Sequence, residues 1–212
     1  MSSNITELRP KVKLTVGAQY ICFNEGDANG DWDAEAFEAD VSKFPTVVQA
    51  SITDEVDSYE VYASGAVYDA DANVLSKTIA VTNVAFDDAT IAKMKGESVS
   101  QKGVIMEGGT AERPWFAYGI VEMKKGGGLV LRWFPKCKLT ENSDEAATST
   151  ASHSDQNSTM NIKAYQFNDA GNTDVKAPEI AGITEDAFFD EPLLTAAAVE
   201  ALIPTPPPGD TP

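Results

Sequence analysis

The chain has 212 residues, of which 42% are apolar and 23% charged. That is the balance of one medium globular domain with a real core and no need of disulfides. With 33 Asp plus Glu against 16 Lys plus Arg the formal charge is −17, which argues against a general nucleic-acid binder, whose affinity comes from cations neutralising phosphates. No run of eighteen apolar residues and no basic-then-apolar leader is present, so neither a membrane span nor a signal peptide is expected, and a soluble product made in the cytoplasm is.

Residues 11–20 alternate apolar and polar, placing Val12, Leu14, Val16, Ala18 and Tyr20 on one face of a strand. An acidic stretch over 25–40, rich in Asn, Gly and Asp, reads as a loop. Runs 46–53 and 58–68 are rich in Val, Ile, Tyr and Thr and read as two strands, 69–73 as a turn, and 75–86 as the returning strand. A short helix is expected from Asp87 to Gly96. Asp87 caps it, Asp88 lies in the first turn, Lys93 and Lys95 lie in the last, and Gly96 ends it.

The clearest hairpin joins 115–123 to 129–138 through Lys124, Lys125, Gly126, Gly127 and Gly128, a tip that tolerates positive φ. Its first arm is apolar on both faces: Trp115, Ala117, Gly119 and Val121 on one, Phe116, Tyr118 and Ile120 on the other. Both faces therefore need cover, one from a sandwich core and the other from a subunit interface or from the chain's own helix or loop. Residues 140–158 form a long polar loop of a length that is usually functional or disordered. Residues 160–167 read as a final strand, and 194–202 as a short amphipathic helix before a Pro-rich tail. The expected organisation is a β-sandwich domain over 1–170 and a C-terminal arm over 171–212.

Chemistry is sparse. Cys22 and Cys137 fit no zinc or redox spacing and read as buried thiols, and the lone His153 lies in a polar stretch with no triad around it. No catalytic residue, enzyme activity or cofactor is expected. Asp27, Asn29, Asp31, Asp33 and Glu35 alternate, and Glu38 falls where a calcium loop places its bidentate carboxylate. Trp32 occupies the position that needs glycine, and flanking helices are missing, so calcium is a weak candidate and a solvated acidic loop the stronger reading. The lysine–glycine tip is followed by a strand, not a helix, so it is no phosphate loop but a mobile hairpin.

The order of these pieces resembles the major tail protein, or tail tube protein, of long-tailed, non-contractile bacteriophages. The likeness is carried by residues 63–69, the acid-capped helix ending in Lys93-Met-Lys-Gly96, Arg113-Pro-Trp-Phe-Ala-Tyr-Gly119, the Lys-Lys-Gly-Gly-Gly128 tip, Leu131-Arg-Trp-Phe134 and the polar loop leading into 160–167. The acidic insertion at 25–40 and the long C-terminal arm depart from the usual pattern. The resemblance implies a mainly β fold, a β-sandwich closing partly into a barrel, with one packed helix. It further implies a virion protein that forms stacked, hexameric rings, through which viral DNA passes without specific binding. Its partners would be copies of itself, a tape measure protein and tail tip or terminator proteins, with no membrane insertion. Ring-stacking contacts would come from Lys124, Lys125, Gly126, Gly127, Gly128, Glu141, Asp144 and Glu145. The alternatives are a monomeric β-sandwich module that binds carbohydrate or a receptor through Trp32, Trp115 and Trp133, and the inner tube of a contractile device.

Overall fold

The computed structural model describes residues 8–108, 112–143 and 157–204. Its strands are β1 (Lys13–Asn24), β2 (Ser42–Phe44), β3 (Val47–Ala63), β4 (Ala66–Asn83), β5 (Ser98–Val99), β6 (Ile105–Met106), β7 (Trp115–Lys124), β8 (Leu129–Ser143), β9 (Ser158–Tyr165) and β10 (Val175–Pro178). Three short helices accompany them among the described residues: α1 (Asp88–Lys95), α2 (Glu185–Phe188) and α3 (Ala196–Ala201). The expected mainly β fold is present, with one short helix, α2, beyond the two anticipated.

Eight strands form one antiparallel sheet in the order β2-β1-β7-β8-β9-β4-β3, with β10 joined to the first part of β8. Among the described residues no pairing joins β3 back to β1 or β2, so the expected partial closure into a barrel is not made and the sheet keeps open edges. β2 covers only Gln19, Tyr20 and Ile21 of β1, leaving the outer edge of residues 13–18 unpaired.

The two-faced pattern of β7 is the key to packing. Phe116, Tyr118 and Ile120 enter one core with Ile21, Ile79, Phe134, Leu139 and Ile162, and α1 closes it with Met94. Ala117 and Val121 enter a second core with Tyr20, Leu131 and Trp133. This second face is covered by the chain's own C-terminal segment, through Phe188, Phe189, Leu193 and Val199. Phe189 stacks on Tyr20 at 3.9 Å between ring centroids, and Trp133 Nε1 donates to the carbonyl of Phe188 at 2.9 Å. Each buried Phe contributes roughly 2–3 kcal/mol, so these few residues are enough to hold the segment down.

β1 differs from its expected form. Both faces are covered from Ala18 onward, so the strand runs past Tyr20 to Asn24, whereas Val12 and Leu14 are 70% and 71% exposed. The helix is where its caps place it: Asp87 accepts from the backbone of Thr90 at 2.8 Å, and Gly96 takes φ +76°. The 194–202 helix is also present, as α3. The expected turn at 69–73 is wrong. β3 and β4 are single long strands joined at Ser64-Gly65, both with positive φ, and 69–73 pair within the ladder opposite 57–61. A two-residue loop of this kind matches the twist of the flanking strands, and cross-strand pairing overrides the turn preference of Asp and Asn.

Candidate assembly surfaces

The outer half of the β3–β4 hairpin stands away from the body. Every residue from 56 to 73 is exposed, including Tyr59, Val61, Tyr62, Val67 and Tyr68. The register Asp57↔Asn73, Tyr59↔Asp71 and Val61↔Asp69 puts three aspartates and two apolar side chains on one face. No lysine or arginine occurs between Lys43 and Lys77. The root of the arm is fixed by Glu55, which accepts from Lys163 Nζ at 2.6 Å, Thr78 Oγ1 at 2.6 Å and Ser76 Oγ at 2.7 Å. Those donors, Lys163 first, hold its carboxyl at about 2.

The β7–β8 tip has a different character. Gly126 and Gly127 take φ +89° and +84°, and Lys125 donates its backbone N–H to the Val12 carbonyl at 2.9 Å. Glu179 bridges Lys11 at 2.8 Å and Lys124 at 3.0 Å. A Cβ on Gly128 would lie 1.9 Å from Glu179 Oε1, so a side chain there would displace the Glu179 carboxylate from Lys11 and Lys124. Nearby, Lys13 pairs with Glu122 at 2.7 Å, and Asp174 is shared by Arg132 at 3.0 Å and Lys77 at 2.8 Å. Lys176 is held below the usual lysine range, by burial first and then by Arg132. This end of the sheet therefore gathers Lys11, Lys13, Lys124, Lys125, Arg132 and Lys176 with Glu122, Asp174 and Glu179, and Asp174 ties it to Lys77 of β4.

Glu141 lies towards the other end of β8, where it accepts from Asn161 Nδ2 at 2.9 Å. The tip and Glu141 are thus not brought together within one copy. Asp144 and Glu145 fall outside the described residues, as does His153. The polar segment is shorter than expected, since β8 continues to Ser143 and β9 begins at Ser158.

In the acidic loop the carboxylates serve the loop's own backbone. Asp27 Oδ1 accepts from the N–H groups of Asn29 at 2.8 Å and Asp31 at 3.0 Å, and its pKa is lowered by them. Asp33 Oδ1 accepts from the Glu35 N–H at 3.0 Å. Glu38 turns away to Lys93 of α1 at 2.5 Å. Among the described residues no three acidic, His or Cys side chains converge as a metal site. Trp32 pins the loop through Nε1 to the Pro135 carbonyl at 3.2 Å. Lys136 lies over both Trp32 and Trp115, and Lys138 over Trp115. Trp133 is fully buried, so the three tryptophans do not form an exposed stacking row. Cys22 and Cys137 are buried free thiols, and burial pushes the Cys22 thiol up to about 11.

Among the described residues, then, an open antiparallel sheet with unpaired edges carries a bare acidic arm. The model of one family, described as phage tail tube protein, matches residues 36–196. The chain belongs to the phage tail tube protein family. The tail tube protein is accordingly a structural component of the virion, and among its described residues no helix is long and apolar enough to cross a membrane. A chain in the cryo-EM structure of the anti-feeding prophage baseplate, 6-fold symmetrised, is similar over 81% of this chain and 98% of its own, at 8% identity and a TM-score of 0.42. No curated protein matches this chain in sequence. Sequence reasoning placed its contacts at the tip and the polar loop and did not single out the exposed arm; the stretch without a single basic residue from 44 to 76 was the signal available for it.

Proposed function

We propose that this protein polymerises as rings of six copies that stack into the tail tube, and that viral DNA passes through the channel during ejection. The observation that carries the reading is the open sheet of a tail tube family member. Among the described residues the outer edge of β3 and the edge of β1 over 13–18 are unpaired. Unpaired edges are aggregation hazards in a monomer and bonding surfaces in an assembly. Joined head to tail by rotation, such edges close a ring.

The lysine–glycine tip and Glu141, at opposite ends of β8, are placed to serve the two faces of a ring, with Asp144 and Glu145 on the segment that follows Glu141. Stacking through these faces gives a tube of fixed diameter. Residues 1–170 supply the ring-forming sheet in this reading, and the C-terminal segment covers its second face. Six copies carry six times 17, or 102, formal negative charges, and any share lining the channel repels DNA from the wall and favours transit. A tape measure protein inside the tube and tip and terminator proteins at its ends are the partners such a polymer requires. The role is structural, with no catalysis.

Negative-stain electron microscopy of the purified protein at low and high concentration tests this directly. Rings or tubes with a central channel and six-fold projections are the expected result. Small dispersed particles at every concentration would overturn it.

A further inference from the structure

β2 is three residues long and pairs only with Gln19, Tyr20 and Ile21 of β1, too short a ladder to hold a strand by itself. It is supported on both faces instead. On the first, Phe44 stacks on Phe86 at 4.6 Å between ring centroids. On the second, Lys43 pairs with Glu185 of α2 at 2.7 Å, and the same carboxylate oxygen accepts from Tyr20 of β1. One carboxylate of the C-terminal segment thus ties β1 and β2 together. Phe37 and Val41, on the connection between these two strands, pack in the second core as well. The segment over 179–204 is itself attached in a way that lets it leave. Beyond Glu179, whose N–H donates to the Leu129 carbonyl at 2.8 Å, none of its described backbone groups joins the sheet ladder. Side chains hold it. Phe189 sits over Gly119, where a Cβ would come within 2.6 Å of its ring, and Trp133 reaches the Phe188 carbonyl. Its entry is strained: Glu179 takes φ +52°, a left-handed conformation costly for any residue but glycine, and Gly182 takes +89°. Lys11 and Lys124 hold Glu179 in that conformation.

We propose that residues 179–204 form a strap that opens and closes as one unit about Glu179–Gly182, and that closing it locks β2 onto the edge of β1. Opening takes Glu185 away from Lys43 and Tyr20 and uncovers Phe37 and Val41, so β2 keeps only Phe44 and its short ladder. The free edge of β1, confined to 13–18 while the strap is closed, then extends through Ile21. Closed is the resting state, because Phe188, Phe189, Leu193 and Val199 are all buried in it. The purpose of the strap rests on the self-assembly reading above: a closed strap limits the backbone edge that a second copy can pair with, and so restrains assembly. Coupling of this kind is reciprocal, so whatever loosens β2 also loosens the strap.

Hydrogen exchange on the full-length monomer, read residue by residue, tests the coupling. Val199→Ala loosens the strap at its far end, within the second core, and alters no group on β2. The Phe188 and Phe189 amides, bonded to the Thr184 and Glu185 carbonyls, should exchange more than about fivefold faster, and those of 42–44 should accelerate with them. Lys43→Ala, made on the exposed β2 side, should in turn quicken the Phe188 and Phe189 amides about twofold or more. Amides of Tyr118 and Phe134 in the first core should change in neither variant, which shows that both remain folded. If the acceleration stays on the mutated element in either variant, the strap is overturned and the tube reading stands. Where strap and β2 move together, Val199→Ala should form rings at a lower protein concentration than the wild type, and an unchanged threshold would overturn the restraint on assembly. A wild type that never assembles removes the tube reading and the restraint with it, while the coupling is still decided by exchange alone.

Discussion

Two hairpins of this chain show opposite solutions to the same problem. β7–β8 is buried on both faces, with one core on each side, and its strands carry eleven of the buried apolar side chains, from Phe116 to Leu139 in sequence order. β3–β4 is longer, yet beyond Glu55 it buries almost nothing. Both have long antiparallel ladders, each interrupted by local register shifts. Ladder bonds largely replace bonds to water and contribute about 1 kcal/mol each at most in net terms, so burial is what separates the rigid hairpin from the bare one. The first hairpin makes the fold, and the second, beyond Glu55, adds little to its core.

The largest effect expected on this contrast comes from the rigid side. Phe134→Ala should cost about 3–5 kcal/mol of stability in urea denaturation, since the ring is fully buried in the first core. A loss under 1 kcal/mol would show that the core is looser than its packing implies. Next is Gly119→Ala. Its Cβ would lie 2.6 Å from the Phe189 ring and 3.0 Å from Tyr20 Cβ, so the C-terminal segment must shift, at a cost of about 1–3 kcal/mol. Limited proteolysis should then cut near residues 185–195 faster than in the wild type.

A pH scan sharpens the same contact. Burial alone would raise Glu185, but the hydrogen bonds from Lys43 and then Tyr20 outweigh it and lower its pKa. Tyr20 donates to Glu185 at 2.5 Å, and Lys43 pairs with it at 2.7 Å. A depressed carboxylate supplies stability above its unfolded pKa and loses it as pH falls through the folded one. Tyr20 acts at the other extreme: burial and Glu185 push it up to about 12. Its contribution is complete below pH 10 and is lost between there and about 12. Protection of the C-terminal segment against hydrogen exchange should be greatest between these limits, and Glu185→Gln should abolish the acid limb while narrowing the alkaline one.

How far the sequence carried this picture depends on where the decisive information lies. The α1 caps, the tip and the two-faced apolar pattern of β7 are local, and they were readable because Asp87, Gly96 and the alternation of Phe116 and Ala117 act over a few residues. The cover for the second face was an open choice, for Phe188 and Phe189 are some seventy residues from β7 and nothing local ties them to it. The turn at Ser64-Gly65 was masked by the more turn-like Asp69-Ala-Asp-Ala-Asn73, whose conformation is set by the partner strand. The arm was missed for the same reason: a strand rich in Val and Tyr reads as core, and only the fold shows that nothing lies over it.

The smallest effect is the most informative about the bare side. Tyr59→Ser removes a half-exposed ring from the arm, 53% of it open to solvent. Surface changes of this kind stay within about 0.5 kcal/mol, so urea midpoints of the monomer should not move. If the arm were held by its own chain, stability would fall as it does for core tyrosines, and the contrast between the two hairpins would fail. If the arm is held by another copy, the same substitution leaves the monomer intact but raises the concentration at which rings appear, because the buried area is lost only on assembly. A variant that is silent in denaturation and impaired in assembly thus separates what this chain spends on folding from what it keeps for its neighbours.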